Sequence, residues 1–179
     1  MRILYRTAQF WQAVLARPAP EELELAQSVL SPALMALFLR LQASEQVHSL
    51  RIFHRLREQG EKNQELLAAA LLHDIGKTRH PLRIWERVLV VMGKALFSSQ
   101  VKCWGQGPPY GWRRAFVIAE QHPAWGAELA MQAGASPLTV ALILRHQNTR
   151  PGKKKNVPQE HLPFEDQLLH RLQRLDDES

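Results

Sequence analysis

The stretch that decides the fold is LLAAALLHDIGK, residues 66–77. Its first seven residues are all apolar, so a helix formed by them has no polar face and belongs in the interior of a helical bundle. His73 and Asp74 directly follow the carboxyl end of this predicted helix. A buried carboxylate is costly unless a cation compensates it, and aspartate is rarely buried without such a partner. The sequence therefore predicts a positive group beside Asp74, such as a metal ion with His73 as a co-ligand.

Around this segment the apolar residues recur with helical spacing, and strand-like alternation is scarce. We predict an all-α fold, a single-domain bundle of about eight to ten helices. In it, residues 1–43 form N-terminal helices that pack on the core, and residues 44–179 form the metal-binding helical domain. The segments rich in proline and glycine, 98–111 and 150–162, are predicted loops. One predicted helix begins after Pro20, and the other predicted helices span residues 5–16, 33–41, 44–59, 64–73, 82–97, 112–120, 123–133, 137–146 and 164–177.

The net charge, the cysteine count and the length of the apolar runs restrict which classes of protein the chain can belong to. A formal net charge of +6 favours phosphate-bearing partners, which include nucleotides, nucleic acids and anionic lipids. The single cysteine, Cys103, excludes an intramolecular disulfide and a cysteine-rich zinc site, and it agrees with a cytoplasmic protein. No apolar run approaches the roughly 20 residues of a transmembrane helix. We find no nucleic-acid-binding motif.

Other helices supply further candidate ligands. Either His48 or His54 can point inward from the predicted helix 44–59, and their spacing does not separate them. His122 precedes a proline at a predicted helix start, His146 ends another helix, and Asp176 lies on the apolar face of the last one. Helical bundles build metal sites from side chains on facing helices. Histidine and carboxylate without thiolate suit one or two divalent ions of iron, manganese, zinc or magnesium.

Five segments together resemble the HD-domain superfamily of metal-dependent phosphohydrolases, of the HDIG type. They are VHSLRIFHRL, LLHDIGK, QHPAWGAELA, LILRHQN and QRLDDES, which begin at residues 47, 71, 121, 142 and 173. The resemblance favours His48 over His54 and implies two metal sites that share Asp74. Their ligands would be His48, His73, Asp74 and Asp176 in the first site, and Asp74, His122 and His146 in the second.

This resemblance implies that a metal-activated water hydrolyses a phosphomonoester or phosphodiester of a nucleotide. Asp74 and Lys77 would be catalytic, and Lys77 would also contact the substrate phosphate; Arg145 is a second candidate for that contact. One branch of the superfamily, the HD-GYP phosphodiesterases, has two adjacent histidines and a Gly-Tyr-Pro loop. Here Gln147 follows His146 and the loop is absent, so cyclic di-GMP is not the expected substrate.

Two alternatives remain open at this level. The chain could be a non-catalytic regulatory module that binds metal and nucleotide. In addition, residues 81–104, PLRIWERVLVVMGKALFSSQVKCW, combine an apolar face with basic residues and tryptophan, as helices at a bilayer surface do. This segment could equally pack on the bundle or form a homodimer.

Overall fold

The computed structural model describes residues 17–148 and 159–179. These residues form nine α-helices and no strand, which confirms the predicted all-α class. Short 3₁₀ segments cover Ile75–Arg79, Gly111–Arg113 and Gln159–His161. The α-helices are α1 (Pro20–Gln27), α2 (Pro32–Phe38), α3 (Ala43–Glu58), α4 (Gln64–Leu72), α5 (Ile84–Leu96), α6 (Ser98–Trp104), α7 (Arg114–Gln132), α8 (Pro137–Arg145) and α9 (Phe164–Asp177).

Helix α4 is the centre of the bundle, as its uniformly apolar sequence predicts. Its residues from Leu66 to Leu72 are all buried, and most have no exposed surface. Asn63 caps the helix, because its side chain accepts a hydrogen bond of 2.8 Å from the Leu66 N–H. The main apolar cluster joins α4 to α3, α8 and α9. The residues that follow Leu72 therefore leave the helix in the middle of the molecule.

The N-terminal helices α1 and α2 share this core. Ser31 caps α2 by accepting a hydrogen bond from the Leu34 N–H, with Pro32 at the first helical position. Ala26 and Phe38 have no exposed surface and belong to the main cluster. The domain boundary near residue 43 stays a prediction. The helix predicted at 5–16, and most of the loop predicted at 150–162, lie outside the described residues.

A smaller apolar cluster joins α5, α6 and α7. Gly93 allows the close approach of α5 and α7, since a Cβ at this position would lie 2.4 Å from Cε1 of Phe116. Residues 98–111 were predicted as a loop, and this is wrong for the first half of the segment, which forms α6. The physical reason is that Val101 is buried in the smaller cluster, and this packing stabilises a helix that ends before the glycine-rich residues.

Helix α7 runs without a break through Pro123, although the sequence analysis placed two helices there. An interior proline removes one backbone hydrogen bond and strains the preceding turn. Buried residues on both sides of it, including Ala119, His122 and Ala127, continue the same packed helix. Tertiary packing therefore outweighs the local cost. As a consequence, His122 lies in the middle of a helix and not at its start.

Helix α5 packs on the bundle with one face and leaves the other face exposed. Glu86, Val90 and Gly93 are buried. The opposite side carries large apolar residues that are 40 to 67% exposed, namely Ile84, Trp85, Val88, Val91, Met92 and Leu96. In the part of the chain that the structure describes, no helix has both the length and the apolarity needed to cross a bilayer.

Candidate metal centre

Five helices direct polar side chains to one point inside the bundle. Helix α3 contributes His48, the end of α4 is followed by His73 and Asp74, and α7 contributes His122. His146 follows the last residue of α8, and Asp176 lies at the end of α9. The four central side chains are almost completely shielded from solvent: His73, Asp74, His122 and His146 are 0 to 4% exposed.

Three of the histidines are held in one orientation by backbone carbonyl groups. A carbonyl only accepts hydrogen bonds, so the imidazole nitrogen facing it, Nδ1, must carry a proton. This arrangement turns Nε2 towards the centre of the cluster and fixes the ring, as is usual for metal-ligating histidines. The pairs are His73 Nδ1 with Ala70 O at 2.9 Å, His122 Nδ1 with Ile118 O at 3.0 Å, and His146 Nδ1 with Ile143 O at 2.7 Å.

One group of potential ligand atoms consists of Asp74, His122 and His146, all within 4.8 Å of one another. His122 Nε2 lies 3.2 Å from Asp74 Oδ1 and 3.3 Å from His146 Nε2. Gln147, the residue that follows His146, places its Nε2 3.5 Å from the same His122 nitrogen. The structure thus brings together the residues expected for the second metal site.

A second group consists of His48, His73 and Asp74, again within 4.8 Å. Asp176 lies beside it, with Oδ1 2.9 Å from His48 Nε2 and 3.6 Å from His73 Nε2. These are the residues expected for the first site. Asp74 belongs to both groups, and its two carboxylate oxygens face different partners, so it could contribute a ligand atom to each group.

One buried nitrogen of the cluster lacks a hydrogen-bond partner, and a divalent cation would satisfy it. His73 Nε2 is buried and has no hydrogen-bond partner, and the nearest carboxylate oxygens are 3.6 and 3.7 Å away. Leaving such a nitrogen unpaired is costly, and the exceptions in native proteins are often explained by an ion. Nitrogen and oxygen ligands without thiolate suit Mn, Fe, Zn or Mg ions. His73 and its neighbours thus have the geometry and the chemistry to hold one.

Buried acidic and basic side chains of the cluster shift one another's pKa values. Burial acts to raise the pKa of Asp74, but Lys77 and His73 outweigh it and hold this pKa well below its usual range. Burial likewise acts to raise the pKa of Asp176, but the hydrogen bond with His48 and the nearby charge of His73 lower it. Burial acts to lower the pKa of His73, but Asp74 and Asp176 raise it to about 9. A metal ion must therefore displace a proton from His73 to bind there.

The two remaining buried histidines favour the neutral form. Burial lowers the pKa of His122, against the effect of its contact with Asp74. Burial also lowers the pKa of His146 to about 3, and the neighbouring imidazoles of His73 and His122 add to this effect. Neutral imidazole is the form that ligates a metal, so this side of the cluster needs no proton release before it binds one.

The two candidate phosphate contacts are placed differently. The Nζ atom of Lys77 lies 2.5 Å from Asp74 Oδ2, so this lysine is part of the cluster. Arg145 forms ion pairs with Glu165 and Asp166 at the start of α9, the second at 2.6 Å. Its guanidinium therefore links α8 to α9, and its role in substrate binding stays a prediction.

The structure also separates the two histidines of α3 and adds a carboxylate. His54 lies 3.6 Å from Glu22 of α1, away from the cluster, whereas His48 faces Asp176. Glu45 is 4% exposed and pairs with Arg87 at 3.0 Å. Burial raises the pKa of Glu45, with the charges of Lys77 and Asp74 as opposing influences. The sequence analysis missed it, although it lies three residues before His48 and thus on the same helix face.

The comparisons with known proteins agree with this geometry. The chain matches the HD domain over residues 46–177, which is most of its length. No curated protein and no solved structure shows a significant match. HD domains generally bind divalent metals and act as metal-dependent hydrolases. From the extent of the match and the buried His–Asp cluster, we conclude that the chain belongs to the HD domain family of the metal-dependent phosphohydrolase superfamily.

Proposed function

We propose that this protein hydrolyses a phosphomonoester or phosphodiester of a nucleotide, using a water molecule that one or two divalent metal ions activate. The observation that carries the proposal is the convergence of buried His73, His122 and His146 on Asp74, with each imidazole oriented by a backbone carbonyl. A nucleotide also suits the basic chain, whose formal net charge is +6.

In this proposal the ligands are His48, His73, Asp74 and Asp176 for one ion, and Asp74, His122 and His146 for the other. Bound cations would supply Lewis-acid chemistry: they lower the pKa of water and offset the charge on phosphoryl oxygens. The buried imidazoles keep the geometry fixed, so little reorganisation is needed during the reaction. Lys77 neutralises Asp74 in the metal-free protein. With cations bound beside Asp74, the ammonium group of Lys77 would be free to bind a phosphate oxygen.

The two histidines of α3 provide a matched test. We expect His48→Ala to weaken metal binding at least about 100-fold and to abolish hydrolysis, because it removes a ligand. We expect His54→Ala to bind metal and hydrolyse substrate like the wild type, because His54 faces Glu22. The measurements are metal content after loading with Mn(II) or Fe(II) and turnover of a panel of nucleotides and phosphodiesters. Equal effects of the two substitutions would contradict the proposed ligand set.

The same experiment tests the main alternative, a non-catalytic regulatory module. If the metal-loaded wild type binds a nucleotide but hydrolyses none of the panel, the module is the better description. Hydrolysis that depends on His48 and on added metal would exclude it.

A second candidate function rests on the exposed face of α5. Apolar surface of this kind marks interaction sites. The face is flanked by Arg83 and Lys94, while the only carboxylate of the helix, Glu86, is buried and paired with Arg114. A second copy of the chain would therefore bring like charges together, whereas an anionic bilayer surface complements them. We propose association with such a surface.

Vesicle co-sedimentation tests this association. We expect binding to vesicles that contain phosphatidylserine and weaker binding to phosphatidylcholine alone. Val88→Glu combined with Val91→Glu should abolish the binding, because both side chains lie on the exposed face, 43 and 67% accessible. Glu58→Gln, on the surface of α3, is the control. A concentration-dependent dimer that the same double substitution dissociates, without vesicle binding, would show that the face binds a second copy.

A further inference from the structure

A cavity of about 410 Å³ opens over the metal cluster. His146 and Asp176, two of the proposed ligands, form part of its wall. Another part of the wall comes from α5 and α6, which contribute Lys94, Ser98 and Lys102. The volume lies within the range of small-molecule sites, roughly 300 to 1,000 Å³, and exceeds what a single phosphate group needs. A substrate whose phosphate sits at the cluster therefore has room to extend towards the two lysines.

Lys94 and Lys102 differ from the basic residues nearer the cluster, which are held in ion pairs. Lys77 pairs with Asp74, Arg87 with Glu45, and Arg145 with Glu165 and Asp166. Neither Lys94 nor Lys102 has an ion-pair partner among the residues that the structure describes, and both are exposed. Two free ammonium groups in the wall of one cavity are an anion-binding arrangement that needs no rearrangement of existing contacts.

The fold holds these two lysines in a defined position relative to the cluster. Val101, next to Lys102, is buried against α7 in the smaller apolar cluster. Gly93, next to Lys94, packs directly on Phe116 of the same helix. Because α7 also carries His122, the lysines and the metal ligands are attached to one rigid element. Their separation is then set by packing and not by loop conformation.

Whether an anion can bind in the part of the cavity away from the metal ligands depends on the two lysines. Glu120 also lines the cavity, so the wall away from the metal ligands would carry a negative charge without Lys94 and Lys102. An anionic group entering this part of the cavity would then be repelled. With the lysines present, each can donate a charge-assisted hydrogen bond to a phosphate oxygen.

We propose that Lys94 and Lys102 bind a second phosphate group of the substrate, distinct from the phosphate that is attacked at the metal cluster. This inference rests on the proposed function and specifies the substrate class as a nucleotide that carries at least one further phosphate group, such as a nucleoside diphosphate. The lysines thereby determine specificity and take no part in the chemical step.

Equilibrium binding tests the inference without turnover. Mn(II)-loaded protein is titrated calorimetrically with AMP and ADP in forms that cannot be hydrolysed: a methylene group replaces the 5′ ester oxygen in both, and a second one replaces the oxygen between the two phosphates of ADP (the analogue). We expect the analogue to bind at least about tenfold more tightly than AMP, since a charge-assisted hydrogen bond contributes about 1.5 kcal/mol or more. Lys94→Ala and Lys102→Ala should each weaken binding of the analogue about tenfold, and the effect on AMP should be smaller than about threefold.

Two controls separate this role from a general effect of charge or folding. Lys62→Ala removes an exposed lysine that lies outside the cavity and should leave both affinities unchanged. Arginine at positions 94 and 102 should restore part of the affinity for the analogue. Manganese content should stay at the wild-type value in all variants, which shows that the metal cluster is intact.

Three outcomes would overturn the inference: no binding of either nucleotide, equal binding of the analogue by the wild type and by both Lys94→Ala and Lys102→Ala, or equal loss of affinity for AMP and the analogue. Its failure is distinguishable from failure of the proposed function. Lysine-dependent binding of the diphosphate analogue without hydrolysis of any ester would contradict only the proposed function. Hydrolysis of nucleotides that is indifferent to both lysines would contradict only the inference.

Discussion

Replacing Asp74 by asparagine is expected to lower turnover at least about 1,000-fold and to remove metal from both groups of ligands. The carboxylate faces His122 with one oxygen and Lys77 with the other, and it belongs to both candidate sites. Asparagine keeps the size of the side chain but not the negative charge that attracts a divalent cation into a buried site. The metal-free variant should also lose about 2 kcal/mol of unfolding free energy, since Lys77 and His73 lose a counter-charge.

A second substitution separates the loss of function from the loss of stability. In Asp74→Asn combined with Lys77→Gln, neither partner of the ion pair remains, so most of the lost stability should return while metal binding and turnover should not. Glu58→Gln on the surface is the control. Turnover, bound metal and urea unfolding are measured for each variant. Metal content in Asp74→Asn equal to that of the wild type would show that Asp74 is not a ligand.

Replacing Gly76 by alanine is expected to destabilise the protein by at least about 3 kcal/mol. A Cβ at this position would lie 1.9 Å from the carbonyl oxygen of His122 and 2.6 Å from the nitrogen of Gly126. Both atoms belong to the backbone of α7, so no side-chain rotation can relieve the clash. The 3₁₀ segment Ile75–Arg79 and α7 would have to move apart, which would separate Asp74 from His122 and weaken metal binding.

Gly60 provides the control for this substitution. A Cβ there has no neighbour within 4 Å, but the residue has a φ of +80° that strains other residue types. We expect Gly60→Ala to cost only about 1 kcal/mol and to leave metal binding unchanged. Denaturant unfolding of the metal-free proteins, together with metal content, checks both expectations. If Gly76→Ala were as stable as Gly60→Ala, the two backbones would not be in the close contact described here.

The same close contact explains two sequence features that were first assigned by resemblance. Gly76 belongs to the segment LLHDIGK, and Gly126 belongs to the segment QHPAWGAELA. In the structure each glycine faces the other element, and a Cβ on Gly126 would lie 3.1 Å from the nitrogen of Gly76. The pair lets the chain after Asp74 lie directly against α7. The short distance between Asp74 and His122 depends on it.

The sequence by itself determined the helical class and the central position of α4, because a segment without any polar residue has only one favourable environment in a soluble bundle. It also determined that Asp74 requires a positive partner, which follows from the cost of burying a carboxylate. The last helix coincides with its prediction over Phe164–Asp177, where the apolar spacing is regular and acidic residues begin the first turn. These conclusions depend on interactions within one helix or on burial alone.

Helical spacing alone left His48 and His54 open, and only the resemblance favoured His48. The tertiary structure shows that His48 contacts Asp176 and His54 contacts Glu22, because helix α3 has neighbours on more than one side. It also decided that α7 continues through Pro123 and that Val101 stabilises a helix in a predicted loop. The tertiary structure also separated the basic residues by their surroundings. Arg145 forms ion pairs with carboxylates of α9, whereas Lys94 and Lys102 line the cavity. Periodicity specifies which residues share a face, but which element covers that face depends on contacts between residues far apart in the chain.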